Sequence, residues 1–153
     1  MHIFDTNSLR KLNSFSKAVF PSLWEKVADA IDDETIVSTR EVLREIAERD
    51  DELHEWCKFH SGMFPPPEAS EAKFAGAILI HPKFEAHIPK TILTSKRPFA
   101  DPYVIARAST VSGIVVTEEK HKPTSAKIPT ICEHFGIACM DLDAFMISQG
   151  WEF

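Results

Sequence analysis

Short apolar runs alternate along this chain with longer segments whose apolar residues recur at helical spacing. The runs predict strands that end just before Asp5 and at residues 35–38, 114–116 and 137–140. The longer segments predict helices from Asp101 to a stop at Gly113 and at residues 8–17, 22–31, 40–59, 69–80, 128–135 and 141–147. Residues 81–99 are interrupted by prolines and predict only a helical turn or two within a loop. This order of elements predicts a mostly parallel sheet with right-handed crossovers and helices on both faces.

Several predicted helix ends carry residues that commonly begin or terminate helices. Asp101 stands where a side-chain cap is expected, and Pro102 follows it at the first helical position. Gly113 comes after the last apolar position of that helix and is a suitable stop. Ser38 or Thr39 can cap the next helix along the chain after the second strand.

The predicted helix of residues 40–59 has one apolar face and one irregularity. Its apolar residues fall within a single sector at about 100° per residue, but Asp50 falls inside that sector as well. Residues 50–51 therefore predict a break or a second cap in place of one continuous helix. Glu45 lies at the margin of the apolar face, which makes it the glutamate best placed to face inward.

Composition places the chain among ordinary globular proteins and excludes several classes. Its 153 residues, 44% apolar and 26% charged, predict one domain over residues 1–153 with a hydrophobic core. No apolar run approaches the roughly 18 residues of a membrane span, and we expect no signal peptide and a cytoplasmic location. Cys57, Cys132 and Cys139 lack paired spacing and predict reduced thiols. The net charge of −6 argues against a general polyanion-binding protein without excluding a nuclease, since a metal-binding acidic cluster contributes to that charge.

Acidic residues stand at the ends of predicted elements instead of on solvated faces. Asp5 directly follows the first strand, Glu119 lies just beyond the strand at residues 114–116, and Asp101 opens a helix. Because ligands bind beyond the carboxyl ends of parallel strands, we expect these carboxylates to converge there, with Glu45 joining from a helix edge. Converging carboxylates usually hold a divalent cation such as Mg²⁺. The short polar groups that can hydrogen-bond to such carboxylates are Thr6, Asn7, Ser8 and Thr117.

Taken one at a time, most of these acidic residues have an ordinary structural explanation. Asp101 is explained by helix capping, Glu45 by a solvated position on a charged helix, and Glu118 with Glu119 by a polar strand exit. Asp5 is harder to explain in this way, because a carboxylate directly after a strand and before Thr-Asn-Ser has few structural roles. The hypothesis of a site therefore depends on the combination.

Four short motifs resemble those of the PIN domain (the PilT amino-terminal type), a family of small metal-dependent ribonucleases that includes VapC-like toxins. The motifs are FDTNSL, VLREI, ADPYVIARAS and VVTEEK, and their order extends over nearly the whole chain. The resemblance implies a three-layer α/β/α fold with a mostly parallel sheet of four to five strands. It also implies an acidic site formed by Asp5, Glu45, Asp101 and Glu119. Asp5, Asp101 and Glu119 would be the ligands of Mg²⁺ or Mn²⁺.

The chain also departs from the family's pattern in two places. Family members commonly have Asp or Asn two residues after the threonine that corresponds to Thr117, where this chain has Glu119. Glu118 and Glu119 therefore both stay open as the ligand, the other supporting the site. Residues 65–99 are longer and richer in proline than in a minimal toxin, so the resemblance is to a PIN-like branch apart from the best-known toxins.

The resemblance implies an endoribonuclease that uses a metal-activated water to leave 5′-phosphate and 3′-hydroxyl ends. It further implies a toxin silenced by an antitoxin protein, and a homodimer. Two basic pairs, Lys96 with Arg97 and Lys120 with Lys122, flank the expected site in sequence and are candidates for phosphate contacts.

Two other functions fit the sequence less well. A phosphatase with Asp5 as nucleophile would have a second aspartate two residues later, where this chain has Asn7. A PIN-like binding scaffold that no longer cleaves would show no stabilisation by divalent ions.

Overall fold

The computed structural model describes residues 1–49 and 51–153, and this described part contains four strands and nine α-helices. The strands are β1 (His2–Phe4), β2 (Ile36–Val37), β3 (Ile114–Val116) and β4 (Cys139–Met140). The helices are α1 (Thr6–Asn13), α2 (Pro21–Asp32), α3 (Arg40–Ala47), α4 (Asp51–Phe59), α5 (Ala69–Leu79), α6 (Lys90–Thr94), α7 (Asp101–Val111), α8 (Ile128–Phe135) and α9 (Leu142–Ser148). The predicted elements are therefore confirmed in kind and order.

The four strands form one parallel sheet in the order β2–β1–β3–β4. Ile3 and Phe4 of the interior strand β1 are fully buried, as a strand covered on both faces requires. Phe4 lies beside Val116 in the register of β1 and β3, so the residues that follow these two strands emerge side by side. Helices cover both faces of the sheet, and the expected three-layer α/β/α fold is confirmed.

Helix α7 packs against the two middle strands and against α5, and its apolar stripe is buried as predicted. The predicted stop at Gly113 needs correction, because Ser112 is the left-handed residue that ends α7, with φ of 51°. Glycine is instead required at position 113 because a side chain does not fit there. A Cβ there would lie 2.5 Å from Ile3 Cδ1 and 3.0 Å from the Met1 carbonyl oxygen.

The predicted break in the helix of residues 40–59 is confirmed, since α3 ends at Ala47 and α4 begins at Asp51. Asp50, on which that prediction rested, lies outside the described residues. The predicted side-chain cap before α3 is wrong. Thr39 occupies the N-cap position, but its buried hydroxyl has no hydrogen-bond partner among the described residues. The Ser38 hydroxyl donates to the Phe4 carbonyl at 2.7 Å, so it ties β2 to the end of β1.

Other expectations from the sequence are also met. Residues 81–99 form a short 3₁₀ turn, Glu85–His87, and the short helix α6 within a loop. Cys57, Cys132 and Cys139 are not joined in disulfide bonds. Across the described residues, no helix combines the length and apolarity needed to cross a membrane.

Candidate functional site

Asp5 is fixed at the carboxyl end of β1 by hydrogen bonds to both of its carboxylate oxygens. The Ser8 N–H donates to Oδ1 at 2.7 Å, and the Thr117 hydroxyl donates to Oδ2 at 2.5 Å. Asp5 thereby caps α1, a structural role that the sequence analysis did not foresee. Burial raises its pKa to about 6, against the effect of these hydrogen bonds, and the charge of Glu119 adds to the rise.

Glu45 links three separate elements from its place on α3. The Thr6 hydroxyl, at the start of α1, donates to Glu45 Oε1 at 2.6 Å. The N–H of Ala100, just before α7, donates to Glu45 Oε2 at 2.7 Å. Glu45 therefore faces inward as predicted, and it fixes the residue immediately before Asp101.

Asp101 is not the helix cap that the sequence predicts. Ala100 is the N-cap of α7 and already has helical dihedral angles, with φ of −80° and ψ of −26°. This places Asp101 inside the first turn, beyond the position from which a side chain reaches back to the free N–H groups. No described residue donates a hydrogen bond to its carboxylate. Capping therefore does not account for an aspartate at this position.

The electrostatic surroundings of Asp101 connect it to the other predicted acidic residues. Its pKa is well above the ordinary value, mainly because burial disfavours the charged form. The negative charges of Glu119, Glu45 and Asp5, in that order, raise this pKa further. Lys127 acts in the opposite direction. The structure thus brings the four predicted acidic residues within electrostatic reach of one another.

Glu118 and Glu119, which follow β3, contact different partners. Glu119 Oε2 accepts a hydrogen bond from the N–H of Ile128, the first residue of α8, at 2.7 Å. Its Oε1 lies 3.6 Å from Lys127 Nζ. Glu118 instead accepts from the Leu142 N–H at 2.9 Å and pairs with Lys11 Nζ at 3.1 Å. Of these two glutamates, Glu119 is the one whose charge raises the pKa values of Asp5 and Asp101.

The predicted supporting groups differ in what they contact. Thr117 donates to Asp5, and its hydroxyl accepts from the Glu119 N–H at 3.1 Å, so it connects two of the acidic residues. Thr6 supports Glu45, as described above. The Ser8 hydroxyl donates to the backbone carbonyl of Asp5 at 3.0 Å. The Asn7 side chain is exposed and forms no hydrogen bond with any described residue.

The donor set fits a hard divalent cation, because it consists of carboxylate oxygens that repel one another. Among the described residues, however, no three His, Cys, Asp or Glu side chains are gathered closely enough to enclose one ion. Mg²⁺ tolerates such a site, since it keeps several waters and is usually held by one or two carboxylates together with substrate phosphate. Zn²⁺, which needs three or four closely set side chains, fits poorly.

Several residues around the acidic site were missed by the sequence analysis. Lys127 and the N–H groups of Ala100 and Ile128 fix the carboxylates, and only the fold reveals these contacts. Arg49 lines a cavity beside Glu45. It stands four residues after Glu45, a spacing that would place both residues on one face of the predicted helix of residues 40–59. In the structure α3 ends at Ala47, and Arg49 follows it in a turn.

The comparisons with known proteins identify a family but no activity. A protein-family profile described as a domain of unknown function (DUF4411) matches residues 2–153. Among curated proteins, none matches the chain in sequence.

Proposed function

Because this chain belongs to the DUF4411 family, a domain of unknown function, its activity has to be inferred from its own residues, and we propose that it is a metal-dependent endoribonuclease. The proposed reaction is hydrolysis of RNA phosphodiester bonds at the carboxyl edge of the sheet, with Mg²⁺ or Mn²⁺. Two lines of argument support it: the geometry of the acidic site and the resemblance of four sequence motifs to the PIN domain.

The state of Asp101 is the observation that carries the proposal. Its carboxylate caps no helix, accepts no hydrogen bond from the described residues, and is exposed to the charge of three other carboxylates. The helix dipole favours an acidic residue in the first turn of α7, but burial beside three other carboxylates disfavours its charge. A divalent cation would relieve the repulsion, and catalytic sites are where such strain is typically kept.

Each carboxylate has a distinct part in this proposal. Asp5 is held rigidly by two hydrogen bonds, so its remaining lone pairs have a fixed direction. Glu119 is anchored through one oxygen to α8, which leaves the other to face the site or Lys127. Asp101 accepts no hydrogen bond from the described residues, so both of its oxygens remain available to a cation. Bound among them, Mg²⁺ or Mn²⁺ would polarise the phosphodiester and supply a nucleophile from water at neutral pH.

Positioning is the main task left to the protein in such chemistry. Glu45 holds the backbone just before Asp101 and thereby sets the distance between α7 and the end of β1. Thr117 connects Asp5 with the backbone of Glu119. These contacts fix the acidic groups before substrate binds.

A binding scaffold without catalysis is the second candidate, and one observation favours it. No three potential ligand side chains within the described residues surround a single point. A scaffold of this kind would not gain stability from divalent ions, whereas the nuclease should.

The PIN resemblance extends the proposal to the biological setting. On that basis the protein is the toxin of a toxin–antitoxin pair, acts as a homodimer in the cytoplasm, and is silenced by a partner protein. Growth arrest after induction of the wild type, absent with Asp101→Asn, would support the toxin role.

Cleavage of a mixed RNA pool by the purified protein tests the enzymatic proposal. The wild type should cut in Mg²⁺ or Mn²⁺ and not in EDTA. Asp5→Asn and Asp101→Asn should each slow cleavage by about 100-fold or more, the usual effect of removing one charge-stabilising group. Asp143→Asn is the matched control, because Asp143 is exposed and pairs with Lys11 away from the site.

The outcomes separate the two candidates. Cutting that persists in EDTA or in Asp101→Asn would point to another site or to a contaminant. If the folded wild type cuts nothing and divalent ions leave its melting temperature unchanged, the scaffold is the better account.

A further inference from the structure

Two cavities of about 410 and 400 Å³ lie on either side of the acidic site. Glu45 lines the first, and Asp101 and Glu119 line the second. Ile92 and Phe99 line both, so these two apolar side chains stand between the cavities. The acidic residues therefore face two neighbouring spaces and not a single closed pocket.

Each cavity also carries basic side chains that form no ion pair with a described residue. Arg49 and Arg97 line the first, and Lys122 lines the second. These cations stand beside a carboxylate cluster in a chain whose net charge is −6. This charge pattern suits a phosphate backbone that passes over the acidic residues from one cavity to the other.

The loop that carries Lys122 is held in place by its own hydrogen bonds. The Lys122 N–H donates to Thr130 Oγ1 at 3.2 Å. Its carbonyl accepts from the hydroxyls of Thr130 at 2.7 Å and Ser125 at 2.6 Å. These contacts fix the backbone of Lys122, whose exposed side chain lines the second cavity.

Phe99 occupies the position between the cavities for a structural reason. It precedes Ala100, whose N–H is fixed by Glu45, and Asp101 follows directly. Its ring is partly exposed, whereas the rings of Phe84 and Phe145 are fully buried. A partly exposed aromatic ring beside basic side chains is a feature on which proteins stack a nucleic-acid base.

We propose, on the basis of the function proposed above, that the two cavities are nucleotide subsites on either side of the bond cleaved in single-stranded RNA. Phe99 positions the strand by stacking on a base. Cavities of about 300–1,000 Å³ each hold one small molecule, which fits one unpaired nucleotide. Bases in a duplex are paired and stacked, so they cannot enter these spaces or reach Phe99.

Binding in EDTA tests this inference without relying on cleavage. The probe is a short fluorescein-labelled single-stranded RNA of random sequence, followed by fluorescence anisotropy. Phe99→Leu keeps the apolar volume but removes the ring, and it should weaken binding by about fivefold or more. Phe99→Tyr should bind like the wild type. Phe59→Leu is the control, because Phe59 is 85% exposed and lines neither cavity.

The salt dependence of RNA binding separately tests the basic side chains that line the two cavities. Arg97→Ala and Lys122→Ala should each lower the slope of log affinity against log salt concentration by about 0.7, the contribution of one phosphate contact on a single strand. Lys73→Ala removes an exposed lysine of α5 that lines neither cavity, and it should leave the slope unchanged.

The results distinguish a failure of this inference from a failure of the proposed function. If the wild type cuts RNA but none of the three substitutions changes affinity or slope, the strand lies elsewhere and only this inference is wrong. Equal affinity for a blunt duplex would also overturn it. If the wild type neither cuts nor binds single strands, the proposed function fails together with the subsites.

Discussion

Two neighbouring glutamates at the end of β3 have different surroundings. Glu119 is anchored by the Ile128 N–H and acts electrostatically on Asp5 and Asp101. Glu118 faces the other way, toward α1 and the start of α9. These surroundings favour Glu119 over Glu118 as the candidate ligand of the proposed metal site.

Substituting each glutamate in turn tests this assignment. Glu119→Gln should lower the single-turnover rate of RNA cleavage by about 100-fold or more, because a charge facing the reacting phosphate is lost. Glu118→Gln keeps the acceptor for the Leu142 N–H and should cut at nearly the wild-type rate. The reverse order of effects would assign the site to Glu118.

The raised pKa values of Asp5 and Asp101 have a consequence for stability. The folded protein binds these protons more tightly than the unfolded chain, so the free energy of unfolding falls as the pH rises. For Asp5, whose pKa moves from 3.8 to about 6, the loss is on the order of 3 kcal/mol and falls between about pH 4 and pH 6. The metal-free protein should therefore be less stable at neutral than at mildly acidic pH.

Asp101→Asn should raise the melting temperature of the metal-free protein at pH 7. The amide cannot ionise, so the repulsion at this position disappears, and a gain of about 2 °C or more is expected for a chain of this size. At pH 4 the wild-type carboxyl is protonated in the fold, and the gain should vanish. Thermal melts of the wild type, Asp101→Asn and the control Asp143→Asn at both pH values measure this gain. An equal gain in melting temperature for Asp101→Asn at pH 4 and pH 7 would contradict the prediction.

At the scale of the elements, the close approach of β1 and β3 leaves no space for a side chain at position 113. The Cβ of an alanine at position 113 would meet both Ile3 and the Met1 carbonyl, in a strand pair that positions Asp5 and Thr117. A side chain at position 113 would therefore push the two strands apart and shift the residues of the site that follow them.

Gly113→Ala should lower the free energy of unfolding by about 1–3 kcal/mol, the usual cost of overpacking a core. Gly76→Ala is the matched control, since nothing lies within 4 Å of its added Cβ in α5. That change should raise stability by about 0.5–1 kcal/mol. Urea denaturation of both proteins measures this, and a neutral effect at position 113 would show that the strands can move apart.

The strands and helices could be predicted from the sequence because local patterns determine them. The apolar residues before Asp5 and Glu119 predicted parallel strands that end at one edge, and the fold places both carboxylates there. The break between α3 and α4 also followed from periodicity.

The details that failed depend on tertiary contacts. Asp101 has the residue type of a cap, but helical backbone begins at Ala100, whose N–H is held by Glu45 from α3. The hydroxyls of Ser38 and Thr39 are likewise placed by the sheet and not by local capping. No pattern within one element contains these distances, so the sequence alone could not supply them.

At the scale of the whole molecule, the charge distribution is compatible with the proposed RNA substrate although the chain is acidic. The net charge of −6 opposes general binding to polyanions, while Arg97 and Lys122 stand beside the acidic site. We therefore expect weak affinity for nucleic acid in general and productive contact only along the two cavities.

Calorimetric titration of Mn²⁺ into the metal-free protein tests the central claim most directly, because the proposed cleavage depends on carboxylates that hold a divalent ion. The wild type and Glu118→Gln should bind Mn²⁺ with similar affinity, and Asp101→Asn should bind at least tenfold more weakly, the effect of losing about 1.4 kcal/mol. The absence of binding to the folded wild type, or equal binding by Asp101→Asn, would contradict the account.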